Sequence, residues 1–281
     1  MLRIGRSRGA LGRALQAAWL SWAALTVTLL TPGFAAATVA WRDSPEGDLS
    51  TAVHAMADDG SGAHVVVGRA RGFELSPDGR WIAFEARRGV LVRSTAPDAP
   101  AARMLRKNAT IAATAWAPDG RTLALGAGRH VEVVSLHGKV QASFAVGATP
   151  GQVVGGIGFA PDGRRLVVTA YPAAADHYSA RLIVISAHGR GRRTLALRKI
   201  HAFHPQWVGS DLYVEAGFYD EAPFAGNTTE LHEYRVPADL SAPPVQLDDD
   251  SAGPREQADA AATAKAQALG VARPYEPEAR G

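Results

Sequence analysis

Cysteine is absent from the 281 residues. That excludes disulfide cross-links, thiolate catalysis, paired haem cysteines and a lipid-modified cysteine. Glycine-rich phosphate loops are missing too, and so is the Gly-x-Ser-x-Gly elbow that carries a hydrolase nucleophile. Ser61 has glycines on either side, but at the wrong spacing for such an elbow. Neither sign of charge dominates: 30 Lys and Arg face 27 Asp and Glu. The small excess sits at the start, where Arg3, Arg6, Arg8 and Arg13 stand without an acid. Removing those four charges takes the formal charge from +3 to −1, so composition implies no nucleic-acid surface. The one compact basic cluster, Arg190-Gly-Arg-Arg193, reads as a solvated hairpin end.

Long hydrophobic runs are equally scarce. The stretch 17–30 (AAWLSWAALTVTLL) is shorter than the roughly 18–20 residues that span hydrocarbon comfortably. It follows the basic segment Met1–Arg13, is broken by Pro32 and Gly33, and precedes the small residues of Phe34-Ala-Ala-Ala37. This order predicts a signal peptide over 1–37, cut after Ala37, with 38–50 as an N-terminal linker. No twin arginine is present, which points to the general route for an unfolded chain. The expectation is a periplasmic or secreted protein with no stable membrane insertion after cleavage.

What the chain does have is one phrase in three copies: Leu75-Ser-Pro-Asp-Gly-Arg80, Trp116-Ala-Pro-Asp-Gly-Arg121 and Phe159-Ala-Pro-Asp-Gly-Arg164. Pro77, Pro118 and Pro161 set periods of 41 and 43 residues, the length of one propeller blade or solenoid repeat. Proline presets φ at the second position of a tight turn and glycine accepts positive φ, so the three phrases read as hairpin turns. Pro77, Asp78, Gly79, Pro118, Asp119, Gly120, Pro161, Asp162 and Gly163 are therefore structural turn residues. Short apolar strands flank each turn, such as Gly72–Leu75 and Trp81–Phe84. Third and fourth strands follow, such as His130–Val134 and Val140–Phe144.

Four antiparallel strands per repeat predict an all-β propeller with about four full blades and a partial one over 51–247. The fourth unit is degenerate, with Phe203-His-Pro-Gln-Trp207 in place of the first strand. Ala52–Met56 and His64–Val67 read as the two outer strands of the partial blade. An incomplete ring leaves room for a dimer. Residues 248–281 read as an acidic linker, Asp248–Asp250, and an Ala-rich, weakly helical or disordered tail.

The phrases around 73–85, 116–126 and 159–169, with the Asp59-Gly-Ser-Gly62 turn ahead of them, resemble the WD40-like propeller repeats of TolB-type proteins. Similar repeats form the non-catalytic propeller of prolyl-oligopeptidase-like peptidases. The resemblance implies an extracytoplasmic binding module with a protein or peptide partner and no cofactor. The chain leaves no stretch long enough for an α/β-hydrolase domain, so a complete peptidase of that kind is excluded.

Several residue groups offer chemistry. The long loop 217–229 carries Phe218, Tyr219, Asp220, Glu221 and Phe224, an aromatic-acidic set that is the candidate partner contact. His201 and His204 share the spacing of a metal pair but lack a third ligand, and His137 and His188 occupy turns. The Asp248–Asp250 run lacks the spaced oxygens of a calcium loop. No metal or cofactor is expected. Asn108 and Asn227 match a glycan acceptor pattern that matters only in a eukaryotic secretory pathway. The leading reading is a non-enzymatic scaffold. A small-ligand protein or hydrolase-type enzyme using a central channel, and a structural remnant of a larger propeller, remain the alternatives.

Overall fold

Strands in the middle of the chain are apolar at successive positions rather than alternate ones. Arg165-Leu-Val-Val-Thr-Ala and Thr122-Leu-Ala-Leu-Gly are examples. A strand that buries both faces must lie in a sheet covered on both sides. The fold, a computed structural model, places them so. It describes residues 39–42, 51–57, 59–87, 89–107, 113–146, 151–172, 179–198, 200–218 and 232–247, with Ala264 and Ala268 as helical positions.

The described residues form five antiparallel sheets taken in chain order. The first holds β1 (Val39–Arg42), β2 (Thr51–Met56) and β3 (His64–Ala70). The second holds β4 (Gly72–Leu75), β5 (Trp81–Ala86), β6 (Gly89–Ser94) and β7 (Arg103–Lys107). The third holds β8 (Ala113–Trp116), β9 (Thr122–Ala127), β10 (His130–Ser135) and β11 (Val140–Ala145). The fourth holds β12 (Gln152–Phe159), β13 (Arg165–Pro172), β14 (Ser179–Ser186) and β15 (Arg193–Arg198). The fifth holds β16 (Ile200–Val208), β17 (Asp211–Phe218), β18 (His232–Pro237) and the short β19 (Val245–Gln246). Within each sheet every strand pairs with its neighbour in sequence, so the described pairing is local hairpin pairing. Among the described residues, no sheet closes on itself into a barrel or a propeller ring.

Two features differ from the sequence expectation. Val39–Arg42, within the segment expected to be a linker, forms β1 by pairing with Val53–Met56. The incomplete sheet therefore has three strands instead of two. The strand is only four residues long and is followed by Asp43-Ser-Pro-Glu-Gly47, which hides it among turn formers. In β12, the register shifts at Gly155, which makes a bulge.

The core lies between sheets. Val53, Val66, Leu75, Ile82 and Phe84 join the first two sheets. Val92, Leu105, Leu123, Leu125 and Val134 join the second to the third. Val131, Val133, Leu166, Val168 and Ile183 join the third to the fourth. Val167, Leu182, Leu212, Val214 and Val236 join the fourth to the fifth. Neighbouring residues Leu166 and Val167 thus serve different interfaces, as the two-residue period of a strand requires. Each fully buried side chain contributes about 1.5–3 kcal/mol. An exposed ion pair contributes about 0–1 kcal/mol, so these seams and not surface charges hold the sheets together.

The first strands of successive sheets, β4, β8, β12 and β16, touch one another in that order. Glycine permits the closest approach: a Cβ at Gly158 would stand 2.4 Å from the Pro205 carbonyl oxygen. The turns stack as well. Gly120, at φ 61°, sits with its α-carbon against the Asp78 carboxyl of the preceding turn, and a Cβ there would meet it at 3.1 Å.

Candidate functional site

In an antiparallel four-stranded sheet, the turn between strands one and two and the turn between strands three and four leave by the same edge. Stacking such sheets gathers those turns on one rim. The first three sheets do this around an open groove of about 960 Å³. The turn carrying Ser61 and Gly62 supplies one wall, Thr95–Pro97 and His137 continue it, and Asp78 and Asp119 stand along the other side.

Each turn is closed by its glycine: Gly79 N donates to Ser76 O at 2.8 Å, Gly120 N to Ala117 O at 3.0 Å and Gly163 N to Ala160 O at 2.9 Å. The aspartates are held by their own turns. Asp78 Oδ1 accepts from Ser76 Oγ at 2.6 Å and from Arg80 N at 3.2 Å. Asp119 accepts from Arg121 N at 2.8 Å and from Thr122 N and Oγ1, each at 3.0 Å. Asp162 accepts from Arg164 N at 2.8 Å, and that backbone bond, helped by the Arg165 guanidinium, holds its carboxyl below the usual range. Asp162 is outside the groove lining, whereas Asp78 and Asp119 have both a local role in the turn and a place on the wall.

The arginines that close the phrases behave differently. The Arg80 side chain is 68% exposed and lies no nearer than 4.0 Å to Asp78. Arg121 is exposed on the same wall. Two cations thus project toward solvent while two anions are turned back into the backbone. Trp81, half-buried, packs at the edge of the core below.

The sheets are cross-tied along this rim. His64 bridges Gly62 O at 2.7 Å and Thr95 O at 2.8 Å, joining the first sheet to the second. A neutral imidazole has one N–H and donates one of these bonds at a time. Arg93 donates to Val66 O and to Ala99 O. Arg103 donates to His137 Nδ1 at 2.8 Å, so a neutral His137 carries its proton on Nε2. Arg106 pairs with Glu132 across the same two sheets. Farther along the chain, the Arg165 guanidinium lies 4.5 Å from the Trp207 ring centre and links the fourth sheet to the fifth.

Away from the groove, Glu74 on β4 meets β8. Trp116 Nε1 donates to Glu74 O at 3.1 Å, and Trp116 N reaches its Oε1 at 3.4 Å. The residue as a whole is only partly buried, but Oε2 is shielded from solvent and has no hydrogen-bond partner. Burial pushes its carboxyl up to about 7, against the opposing effect of bonds from Thr114 and Trp116.

The other sequence candidates separate. Phe218 ends β17, at the opposite edge of its sheet from the turn Gly209-Ser210; Tyr219, Asp220, Glu221 and Phe224 lie outside the described residues. So do Asn108, Asn227 and Asp248–Asp250. His201 lies on β16, while His204, in the left-handed region at φ 43°, pairs with Glu215 at 2.8 Å. His188 stands in the β14–β15 turn. Among the described residues, no group of three His, Asp or Glu is arranged to hold a metal ion. Groove serines and histidines are near one another, but neither His64 nor His137 is bonded to a hydroxyl: their described partners are carbonyls and a guanidinium. His64, Thr95 and the other groove contributors come from separate sheets, and only the shared-edge rule for alternate turns would have grouped them from sequence.

The sequence matches no protein-family model and no curated protein. Solved structures do match. The chain shares a fold with a prolyl endopeptidase. That match, from a study of two prolyl endopeptidases and their inter-domain dynamics, has a TM-score of 0.50 and 20% identity. It covers 83% of this chain and 38% of the peptidase. A protein assigned as TolB from Agrobacterium tumefaciens aligns at TM-score 0.49 and 13% identity, covering 70% of this chain and 76% of that one. A chain of a nidogen/laminin complex aligns at 0.48 and 16%, covering 76% of both. At these identities the likeness is one of fold. Among the described residues, no helix is long and apolar enough to cross a membrane.

Proposed function

We propose that the chain is an exported, non-enzymatic β-propeller scaffold that binds a protein or peptide partner in the cell envelope through the groove on its turn rim. The groove carries this reading. It spans three sheets, its two arginines are exposed, Arg80 keeping a 4.0 Å ion pair with Asp78, and it holds no assembled nucleophile and base among the described residues. Rims of stacked turns on a rigid scaffold are common binding surfaces. In this reading residues 1–37 direct export and are removed after Ala37, and the five sheets are blades of a ring with one thin blade. Phe218, Tyr219, Asp220, Glu221 and Phe224 form a second contact in this reading.

The test is crosslinking and co-purification from envelope extract with the full chain and an Arg80→Glu/Arg121→Glu variant. Both side chains are exposed, so the variant keeps its thermal stability. A partner captured by the native chain and lost with the variant supports the groove. Absence of any specific partner, or capture indifferent to both substitutions, refutes it.

A further inference from the structure

The thin sheet is thin at a definite place. In the four complete sheets the chain runs from first strand to fourth, then passes directly into the first strand of the next sheet: β7 to β8, β11 to β12 and β15 to β16. The strand that precedes β4 is β3, so β3 is a fourth strand, β2 a third and β1 a second. The groove confirms this register, because the β2–β3 turn lies beside the β6–β7 and β10–β11 turns, which join third strands to fourth. The first-strand position of this sheet is therefore vacant among the described residues. The outer edge of β1, Val39–Arg42, pairs with no described strand.

We infer that the free edge of β1 accepts an extended segment donated by the protein partner, which completes the sheet by strand addition. This rests on the export and protein-binding reading above. Backbone N–H and C=O groups along an open edge supply affinity to any extended chain, and side-chain pockets supply selectivity. The resident first strands show what the position takes. Each places a large apolar residue at or next to its end: Leu75, Trp116, Phe159 and Trp207. Glu74 is the only acid among them, and no Lys or Arg occurs. The donated segment is thus extended, nearly uncharged and terminated by a Leu, Phe or Trp.

This chain offers poor substitutes. A cut after Ala37 leaves a single residue ahead of β1. Beyond Leu247 the sequence is rich in alanine, proline and charge, with no alternating β-branched run, and Ala264 and Ala268 are helical. The remaining first strands are already paired in their own sheets.

The experiment uses residues 38–281 and a synthetic peptide copying residues 111–117 (Ile-Ala-Ala-Thr-Ala-Trp-Ala), read by amide hydrogen exchange. The amides of 39–42 alternate between bonding β2 and facing the open edge, and at nine-tenths occupancy exchange of the edge-facing ones slows about tenfold, since only the free fraction exchanges. A control peptide with proline at its third and fifth positions leaves them unchanged. Failure of the native-sequence peptide to slow them at saturation overturns the inference. So does protection of those edge-facing amides already present without peptide: loss of that protection on removing 248–281 assigns the slot to the tail, and loss on dilution assigns it to a second copy. The Arg80→Glu/Arg121→Glu variant binds the peptide normally. If partner capture responds to the groove variant while the β1 amides stay bare, this inference fails and the groove reading stands. If the β1 amides respond while capture ignores the groove, the reverse holds.

Discussion

Glu74→Gln isolates the energetic effect of one buried charge. The native carboxyl rises from 4.5 to about 7 because burial disfavours its charged form by more than the bonds from Thr114 and Trp116 favour it. At about 1.4 kcal/mol per pH unit, the charged form is disfavoured in the folded chain by about 3 kcal/mol, an upper limit given the partial exposure of the residue. The direction follows from proton counting. Between pH 4.5 and about 7 the unfolded chain has released its proton and the folded chain still holds one. Stability therefore falls as pH rises through this window, and the loss is complete above it. Glutamine keeps the shape and the acceptor for Trp116 N but never ionises. The variant should match the native chain below pH 4.5 and exceed it by up to about 3 kcal/mol near pH 8. Urea unfolding of both proteins across this range reads the difference directly. A gap that does not change with pH, or one that favours the native chain at high pH, would refute the account of Glu74 as a buried, desolvated acid.

Gly158→Ala should force β12 and β16 apart, because the new methyl would stand 2.4 Å from the Pro205 carbonyl oxygen. A loss of about 1–3 kcal/mol is expected in thermal or urea unfolding, and a neutral result would contradict the close approach. Ser76→Ala removes the hydroxyl that joins Asp78 Oδ1 to Trp81 N. Its methyl fits, as Ala117 and Ala160 show at the equivalent places, so the loss should stay near 1 kcal/mol and appear in the same unfolding curves.

The turns were legible because their chemistry is local: proline, aspartate and glycine each act within four residues, and Gly79, Gly120 and Gly163 all adopt positive φ. The strands around them were legible for the same reason, though shorter than they are: the sequence shows Trp81–Phe84, and β5 runs on to Ala86. β1 was not, since Val39–Arg42 is too short to show a period and gains its strand conformation from pairing with β2. The groove was harder still. The pattern that makes Leu166 and Val168 core residues says which face is buried but not which turns will stand side by side. Thr95 and His64 meet only because Arg93, Val66 and the seam beneath them bring two sheets into register. Glu74 read as an ordinary strand residue, because nothing adjacent in sequence announces that Trp116 will cover it.

The order of the seams has a kinetic consequence. The second, third and fourth sheets each bury their apolar faces against the sheet made just before and the one made just after. A chain that emerges N-terminus first can therefore fold in instalments, with each new set of hairpins docking on a template already in place. None of these three sheets waits for the distant end of the chain to cover its leading face, so the time its apolar surface spends open to aggregation is set by the arrival of a single repeat.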